Sequence, residues 1–369
     1  MVAMRICDPM LVALSTEFSV SVGEASRVVS VYAVAYGVLQ LFYGPLGDRI
    51  GKLRVITLAV MACAVFSALT AVAVDFDYLV LARALLGASA AGIIPLSMAW
   101  LGDQVSYDRR QETLARLMSA TVTGMMAGQW FGGWAAQSLG WRTAFAVLAL
   151  LFGAAGLLLW LRMKPLHQPV ANARGDWRQA FDGLALLRVP RVRWVLAVTC
   201  IEGALAFGTL AFVPSQLEQH FGLSATMAGA LMALYGVGGL GYSQMARRWL
   251  GWLGERGLAR LGSSLVAAGL LLLAWTQHAA WAALGCVAAG LGFYMLHNTL
   301  QTQATQMAPQ ARGSAVTLFA CVLFFGQSAG VLLTAQTVDR GGLDAAYTVC
   351  ALGMLVLGQV IARQVRART

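Results

Sequence analysis

Charge is scarce in this chain. Only 11% of its 369 residues are Asp, Glu, Lys or Arg and 59% are hydrophobic, whereas a soluble domain carries roughly a quarter charged residues. That balance excludes an ordinary soluble globular protein. No glycine-rich phosphate loop ending in lysine is present, so nucleotide hydrolysis is not expected to supply energy. Zinc-ligand spacing, a nucleophile elbow and paired catalytic carboxylates are also missing, so neither an enzyme, a metal nor another cofactor is expected. The six cysteines (Cys7, Cys63, Cys200, Cys286, Cys321 and Cys350) all fall inside apolar runs and read as small buried hydrophobes. The first apolar stretch is not expected to be a secretory signal peptide, because Asp8-Pro9 interrupts it and no small-residue cleavage site follows.

Long apolar runs are what the chain has instead. About 20 apolar residues cross a bilayer. Twelve runs qualify, at approximately 2–19, 26–43, 55–74, 78–100, 114–134, 141–161, 194–216, 227–246, 258–277, 280–301, 313–336 and 345–362. The first begins almost at Met1, so either the sequence lacks its true start or the first helix loses about a turn. The expected fold class is an all-α membrane protein of twelve transmembrane helices.

The net charge of +10 would suit nucleic acid if it were clustered on one domain, but it alternates between loops. With the loop at 44–54 assigned to the cytoplasm, only Arg27, Arg142 and Arg340 fall on the opposite side and only Arg5 and Arg83 within runs. The remaining 21 of the 26 Lys and Arg share the cytoplasmic side. This is the positive-inside bias. It places both termini in the cytoplasm of a cell inner membrane and makes nucleic acid an unneeded partner.

Residues 162–193 carry three prolines (Pro165, Pro169, Pro190), six arginines and a lysine around an amphipathic stretch, Trp177–Leu187. They read as a cytoplasmic linker with an interfacial helix, between bundles at 1–161 and 194–369. The halves echo one another: Asp8 with Glu202, Gly44 with Gly241, and Gly128-Gln129 with Gly326-Gln327. Two pseudo-symmetric six-helix bundles imply a cavity near the bilayer midplane and alternating access by rocking. That arrangement implies a carrier for a small-molecule substrate.

A charge at mid-membrane costs on the order of 3 kcal/mol, so the few that occur are candidates for coupling. They are Arg5 and Asp8 in the first run, Arg83 in the fourth and Glu202 in the seventh, with His297 as a neutral-capable addition. Arg5 and Asp8 lie three residues apart on one helix face and can pair. The alternatives for Asp8 are mutual neutralisation with Arg5 or a protonatable acid facing the cavity. Pro9 leaves the carbonyl of Arg5 without its donor, which predicts a kink. Glu202 has no charged neighbour within a helical turn, and is expected to carry protons or bind a cation unless it is a hydrogen-bonded structural acid. An always-charged guanidinium at Arg83 is a costly choice for packing alone, although a salt bridge to Asp8 would explain it.

Between the second and third runs lies Gly44-Pro45-Leu46-Gly47-Asp48-Arg49-Ile50-Gly51-Lys52-Leu53-Arg54, which reads as a tight basic turn. It resembles the signature loop of the major facilitator superfamily, and that resemblance makes Gly44, Gly47, Asp48, Arg49, Gly51 and Lys52 a gate motif. Its degraded echo at Gly241–Gly251 lacks the acid. Leu79–Gly87 around Arg83 is similar to a second family signature linked to proton transfer. Gly124, Gly128, Gly132 and Gly133 match a third, found in the family's antiporters, with Gln129 replacing a proline and Ala115 an upstream glycine. The bland reading of those glycines is helix packing through small residues. Asp103 and Asp108-Arg109-Arg110 sit where the family's charges contact the signature loop, and Arg312-Gly313 after Pro309 matches another family loop.

Possible substrate-lining residues are Tyr36, Gln40, Trp130, Tyr235, Tyr294, His297, Asn298 and Gln327, with Tyr32, Tyr43, Phe324 and Phe325 beside them. Such side chains more often pack than bind. An aromatic cavity with few acids nonetheless suits lipophilic or cationic compounds. The resemblance implies a secondary transporter, expected to act as a monomer and to exchange protons for an exported lipophilic or cationic compound. The alternatives are a symporter or facilitator for a sugar, amino acid or organic acid, and a membrane sensor that transports nothing.

Overall fold

The structure is a computed structural model that describes residues 1–105, 107–163, 184–340 and 342–365. Most of the interfacial stretch Trp177–Leu187 lies outside the described residues, as do Arg366, Arg368 and the side chains of Asp108, Arg110 and Ala115. Among the described residues every regular element is helical.

The first segment, α1, is broken into Val2–Arg5, a 3-10 turn at Asp8–Met10, and Leu11–Phe18. Pro9 explains the break, because it cannot donate to the carbonyl one turn earlier. Then follow α2 (Val22–Ile50), α3 (Lys52–Ala71), α4 (Phe76–Gln104), α5 (Tyr107–Ser138), α6 (Trp141–Met163) and α7 (Pro190–Phe221). Ala225–Trp275 runs for 51 residues, about 76 Å at 1.5 Å per residue, too long for one crossing. It breaks at Gly254, where φ is 62° and ψ 177°, into α8 (225–253) and α9 (255–275). The chain ends with α10 (Ala279–Gln306), α11 (Arg312–Asp339) and α12 (Leu343–Gln364).

Nine helical segments of the described residues, with Ala225–Trp275 counted once, are long and apolar enough to cross a membrane. The broken α1 and α5, which opens on a charged turn, are outside that group. The chain is a multi-pass membrane protein.

The expected turn at 44–54 is corrected in one respect. Residues 44–50 continue α2 through Pro45, and the chain reverses only at Gly51, whose φ of 96° suits glycine. The echo at Gly241–Gly251 is likewise helical, and the reversal there falls later, at Gly254. Asp8 and Glu202 do not hold matching places either. Asp8 lies in the break of α1, whereas α7 bends at Ala211–Phe212, beyond Glu202.

Two large apolar clusters fill the interior. One is drawn from residues between Val192 and Val365. The other runs from Ala3 to Leu148 and takes in Ala211, Phe212, Val331 and Ala335. Elements of the two clusters meet where α2 packs on α11 and α5 packs on α8. Glycines allow the close approaches of α5. A Cβ at Gly128 would come within 2.6 Å of the Val2 carbonyl, one at Gly132 would run into the carbonyl of Ile6, and one at Gly133 into that of Ala225 on α8.

Candidate functional site

The broken α1 brings two opposite charges together. Arg5 Nη1 donates to Asp8 Oδ2 at 3.1 Å, and both side chains are buried to within 1%. The Asp8 oxygen Oδ1 and the Arg5 Nε are left without hydrogen-bond partners. The buried amide of Gln129 on α5 acts on the same carboxylate. Glycine at 128 and 132 is what lets α5 come this near, since each faces a backbone carbonyl of α1.

Arg83 does not pair with Asp8. Its Nε donates to the carbonyl of Val28 at 3.2 Å and its Nη1 to that of Ala3 at 2.9 Å. Its guanidinium lies 4.4 Å from the centre of the Tyr32 ring. The physical reason is local: the break in α1 and its short first piece leave backbone acceptors free, and Asp8 is already engaged by its neighbour three residues away. One Arg83 nitrogen, Nη2, remains unpartnered.

Glu202 finds a partner that its own helix does not offer. Its Oε2 lies 3.0 Å from His297 Nδ1 on α10, and Oε1 has no partner. The His297 ring is held between aromatics, stacked on Phe293 at 5.0 Å and tilted against Phe319 at 5.4 Å. Phe293 in turn meets Phe207, Tyr235 and Tyr294. Arg5 reaches across to this group, with its guanidinium 4.6 Å from the centre of the Phe207 ring. The two acids of the site are therefore linked through one cation and a short run of aromatics.

The remaining candidates are placed unevenly. Tyr36 is buried, stacks on Tyr32 and meets Phe324 of α11 at 4.6 Å. Gln40 Oε1, Gln327 Nε2 and the Tyr235 hydroxyl are buried and unpartnered. Asn298 donates to the Tyr242 hydroxyl at 2.9 Å. Trp130 stands apart: its side chain is 48% exposed and stacks on Trp134, so it is not part of the buried group. Of the gate motif, Lys52 Nζ lies 2.5 Å from Asp103 Oδ2, tying α3 to the end of α4, while Asp48 and Arg49 are exposed.

Sequence reasoning missed a second layer at the end of the molecule opposite Gly51. There Asp339 of α11 accepts from Ser21 Oγ at 2.8 Å and from Gly23 N–H at 3.0 Å. At the α5–α8 contact Gln137 of α5 accepts from Thr226 of α8, from the hydroxyl at 2.6 Å and the N–H at 3.2 Å. The pattern Ser21-Val22-Gly23-Glu24 is a helix-start signature that would have located the first of these. Phe207, Phe293 and Phe319 gave no such signal, because apolar rings in an apolar helix look alike.

Known proteins resemble the chain throughout its length. The family profile described as Major Facilitator Superfamily matches residues 1–331. An uncharacterised MFS-type transporter of Bacillus subtilis (strain 168), YwfA, is 24% identical over 374 residues, covering 96% of this chain and 86% of that protein. A chloramphenicol resistance protein of Streptomyces lividans is 26% identical over 361 residues, covering 93% and 88%. The crystal structure of a mutant of the nucleoside transporter NupG superposes with a TM-score of 0.82 at 14% identity, covering 99% of this chain and 97% of that one, which shows a shared fold. With a membrane-spanning helical fold, buried charges at its centre and a profile match over most of its length, the chain belongs to the Major Facilitator Superfamily of transporters.

Proposed function

We propose that the protein exports a small lipophilic or cationic compound in exchange for protons, by alternating access between two six-helix bundles at 1–161 and 194–369. The single observation that carries this reading is the pair of fully buried acids, Asp8 and Glu202, each with one oxygen engaged and one free. A buried acid in this setting takes a proton or a cationic ligand at its free oxygen, and releases its basic partner when it does. Arg5 and His297 are those partners, and Phe207, Phe293, Phe319, Tyr235 and Tyr294 supply apolar faces for a lipophilic or cationic compound. The similarity to a chloramphenicol resistance protein supports export, as do the glycines of α5.

In this reading the Gly51 face, with its excess of Lys and Arg, is cytoplasmic in a bacterial inner membrane, and both termini lie there. Hydrogen bonds at Asp339 and Gln137 hold the outer face shut. Asp48 then closes the cytoplasmic face in the opposite state by docking on the start of α11, where a helix N-terminus favours an acid. Asp48→Asn should lower transport without loss of folded protein.

The deciding experiment is a panel of toxic compounds in an efflux-deficient host, comparing wild type with Glu202→Gln and Arg83→Ala. Wild type should lower accumulation of at least one compound, dissipation of the proton gradient should abolish the effect, and both variants should lose it. Accumulation that rises on expression of wild type would instead establish uptake. Accumulation indifferent to the gradient would establish a facilitator.

A further inference from the structure

The outer arm of α7 carries polar groups that the site above does not use. Ser215 is buried and its hydroxyl has no hydrogen-bond partner, and the half-buried Glu218 has an Oε1 that is likewise shut away and unpartnered. Three residues apart on one helix, the two side chains share a face. Such orphaned oxygens are uncommon, because burial without a partner is costly. Here three occur within one turn, the third being Gln216 Oε1, whose own amide nitrogen is turned aside to the Leu273 carbonyl and Asp344.

That face leads to Asp8. Phe207, Ala211 and Ser215 follow one another at intervals of four along α7, and the bend at Ala211–Phe212 keeps right-handed helical angles (φ −63°, ψ −27° and φ −97°, ψ −6°). Phe207 lies against Arg5, the partner of Asp8. Ala211 belongs to the apolar cluster that contains Cys7, Met10 and Leu11. The arm Val213–Phe221 packs directly on the turn Asp8–Met10. Three unpartnered oxygens therefore lie on two elements that pack together: Glu218 Oε1 and Ser215 Oγ on the arm, beside exposed Gln219 and His220, and Asp8 Oδ1 on the buried turn. Arg5 and Arg83 are the charged groups that act on Asp8, together with the amide of Gln129.

We infer that Glu218 and Ser215 form the route by which protons reach Asp8 from the face opposite Gly51. The inference rests on the proton-coupled reading of Asp8. Glu218 takes a proton from water at the rim and passes it through a bridging water to the Ser215 hydroxyl, which gives its own proton through a second water to Asp8. At the end Glu218 is again a carboxylate and Asp8 is neutral. One proton has moved, and no bond between heavy atoms has formed or broken.

The test needs no transported compound. Purified protein in nanodiscs is taken through a rapid pH drop, and the infrared carbonyl band of protonated carboxylic acid is followed in time. The part of the band lost in Asp8→Asn belongs to Asp8. Glu218→Gln and Ser215→Ala should each slow its appearance at least tenfold while leaving its final amplitude unchanged, and Glu218→Asp should restore the rate. The unchanged amplitude shows that the variants are folded. If the Asp8 band forms at the wild-type rate in both variants, the route is wrong. If wild type has no band that Asp8→Asn removes, the proton-carrying reading of Asp8 fails instead.

Discussion

The Asp339 carboxylate caps the first turn of α2, accepting the Gly23 N–H at 3.0 Å across 316 residues of sequence. Helix starts leave unsatisfied N–H groups and favour an acid, so this bond joins α11 to α2 where the two apolar clusters meet. Loss of a capping side chain costs about 1 kcal/mol, or about fivefold in an equilibrium. Asp339→Ala should therefore raise the open fraction of this face about fivefold. A cysteine introduced by Tyr36→Cys, behind the clasp on the same α2–α11 contact, should react faster with an impermeant maleimide from that side by a similar factor. An unchanged rate would show that the clasp does not hold the face closed.

Glu202 and His297 form another long-range pair, and its energetics can be separated by a double-mutant cycle. His297→Leu leaves Glu202 with no partner on either oxygen, which should destabilise the protein by about 1–3 kcal/mol. Glu202→Gln combined with His297→Leu should cost less than the sum of the two single changes, with a coupling of about 0.5–3 kcal/mol. Thermal unfolding in detergent reads both quantities. Additive effects would mean that the 3.0 Å contact contributes nothing net.

Much of the fold and part of this site could be read from the residues, and what escaped has a physical explanation. Apolar runs set the helices, and the scarcity of charge within them marked Asp8, Arg83 and Glu202. The Arg5–Asp8 pair was legible because i,i+3 spacing is local. Its neighbour Arg83 was not, since it binds the carbonyls of Ala3 and Val28, and every residue carries such an acceptor. The pairing of Glu202 with His297 depends on how α7 and α10 pack, which no local pattern encodes. At the turn between α2 and α3 the sequence offers three glycines. Only the backbone angle at Gly51 distinguishes the reversal from the helical Gly44 and Gly47.

The glycines of α5 and α2 should differ in kind when given a side chain. Gly132→Ala drives a methyl into the Ile6 carbonyl, inside one apolar cluster, and should lower the yield of folded protein. Gly133→Ala meets the Ala225 carbonyl on α8, at the contact between clusters. It should leave yield near normal while increasing labelling from the face opposite Gly51. Gly44 has no neighbour within 4 Å of an added Cβ and lies in a helix, so Gly44→Ala should be neutral or stabilising by up to about 1 kcal/mol. Size-exclusion yield, maleimide labelling and melting temperature check the three in turn.

Arg83 separates charge from geometry. Its planar guanidinium serves two carbonyls on different segments, Ala3 and Val28, and still presents Nη2 without a partner. Lysine keeps the charge but is a compact point donor that cannot reproduce a rigid fork. If only the charge matters, Arg83→Lys should transport like wild type. The hydrogen bonds argue otherwise: with one of them lost, the first piece of α1 is no longer fixed to α2, and Asp8 shifts with it. Arg83→Lys should therefore reduce transport of any compound found in the sensitivity panel at least tenfold. The unfolding free energy should fall only by what one buried hydrogen bond contributes, about 1–3 kcal/mol. Wild-type transport in Arg83→Lys would show that the carbonyl contacts are dispensable and that the positive charge alone serves Asp8.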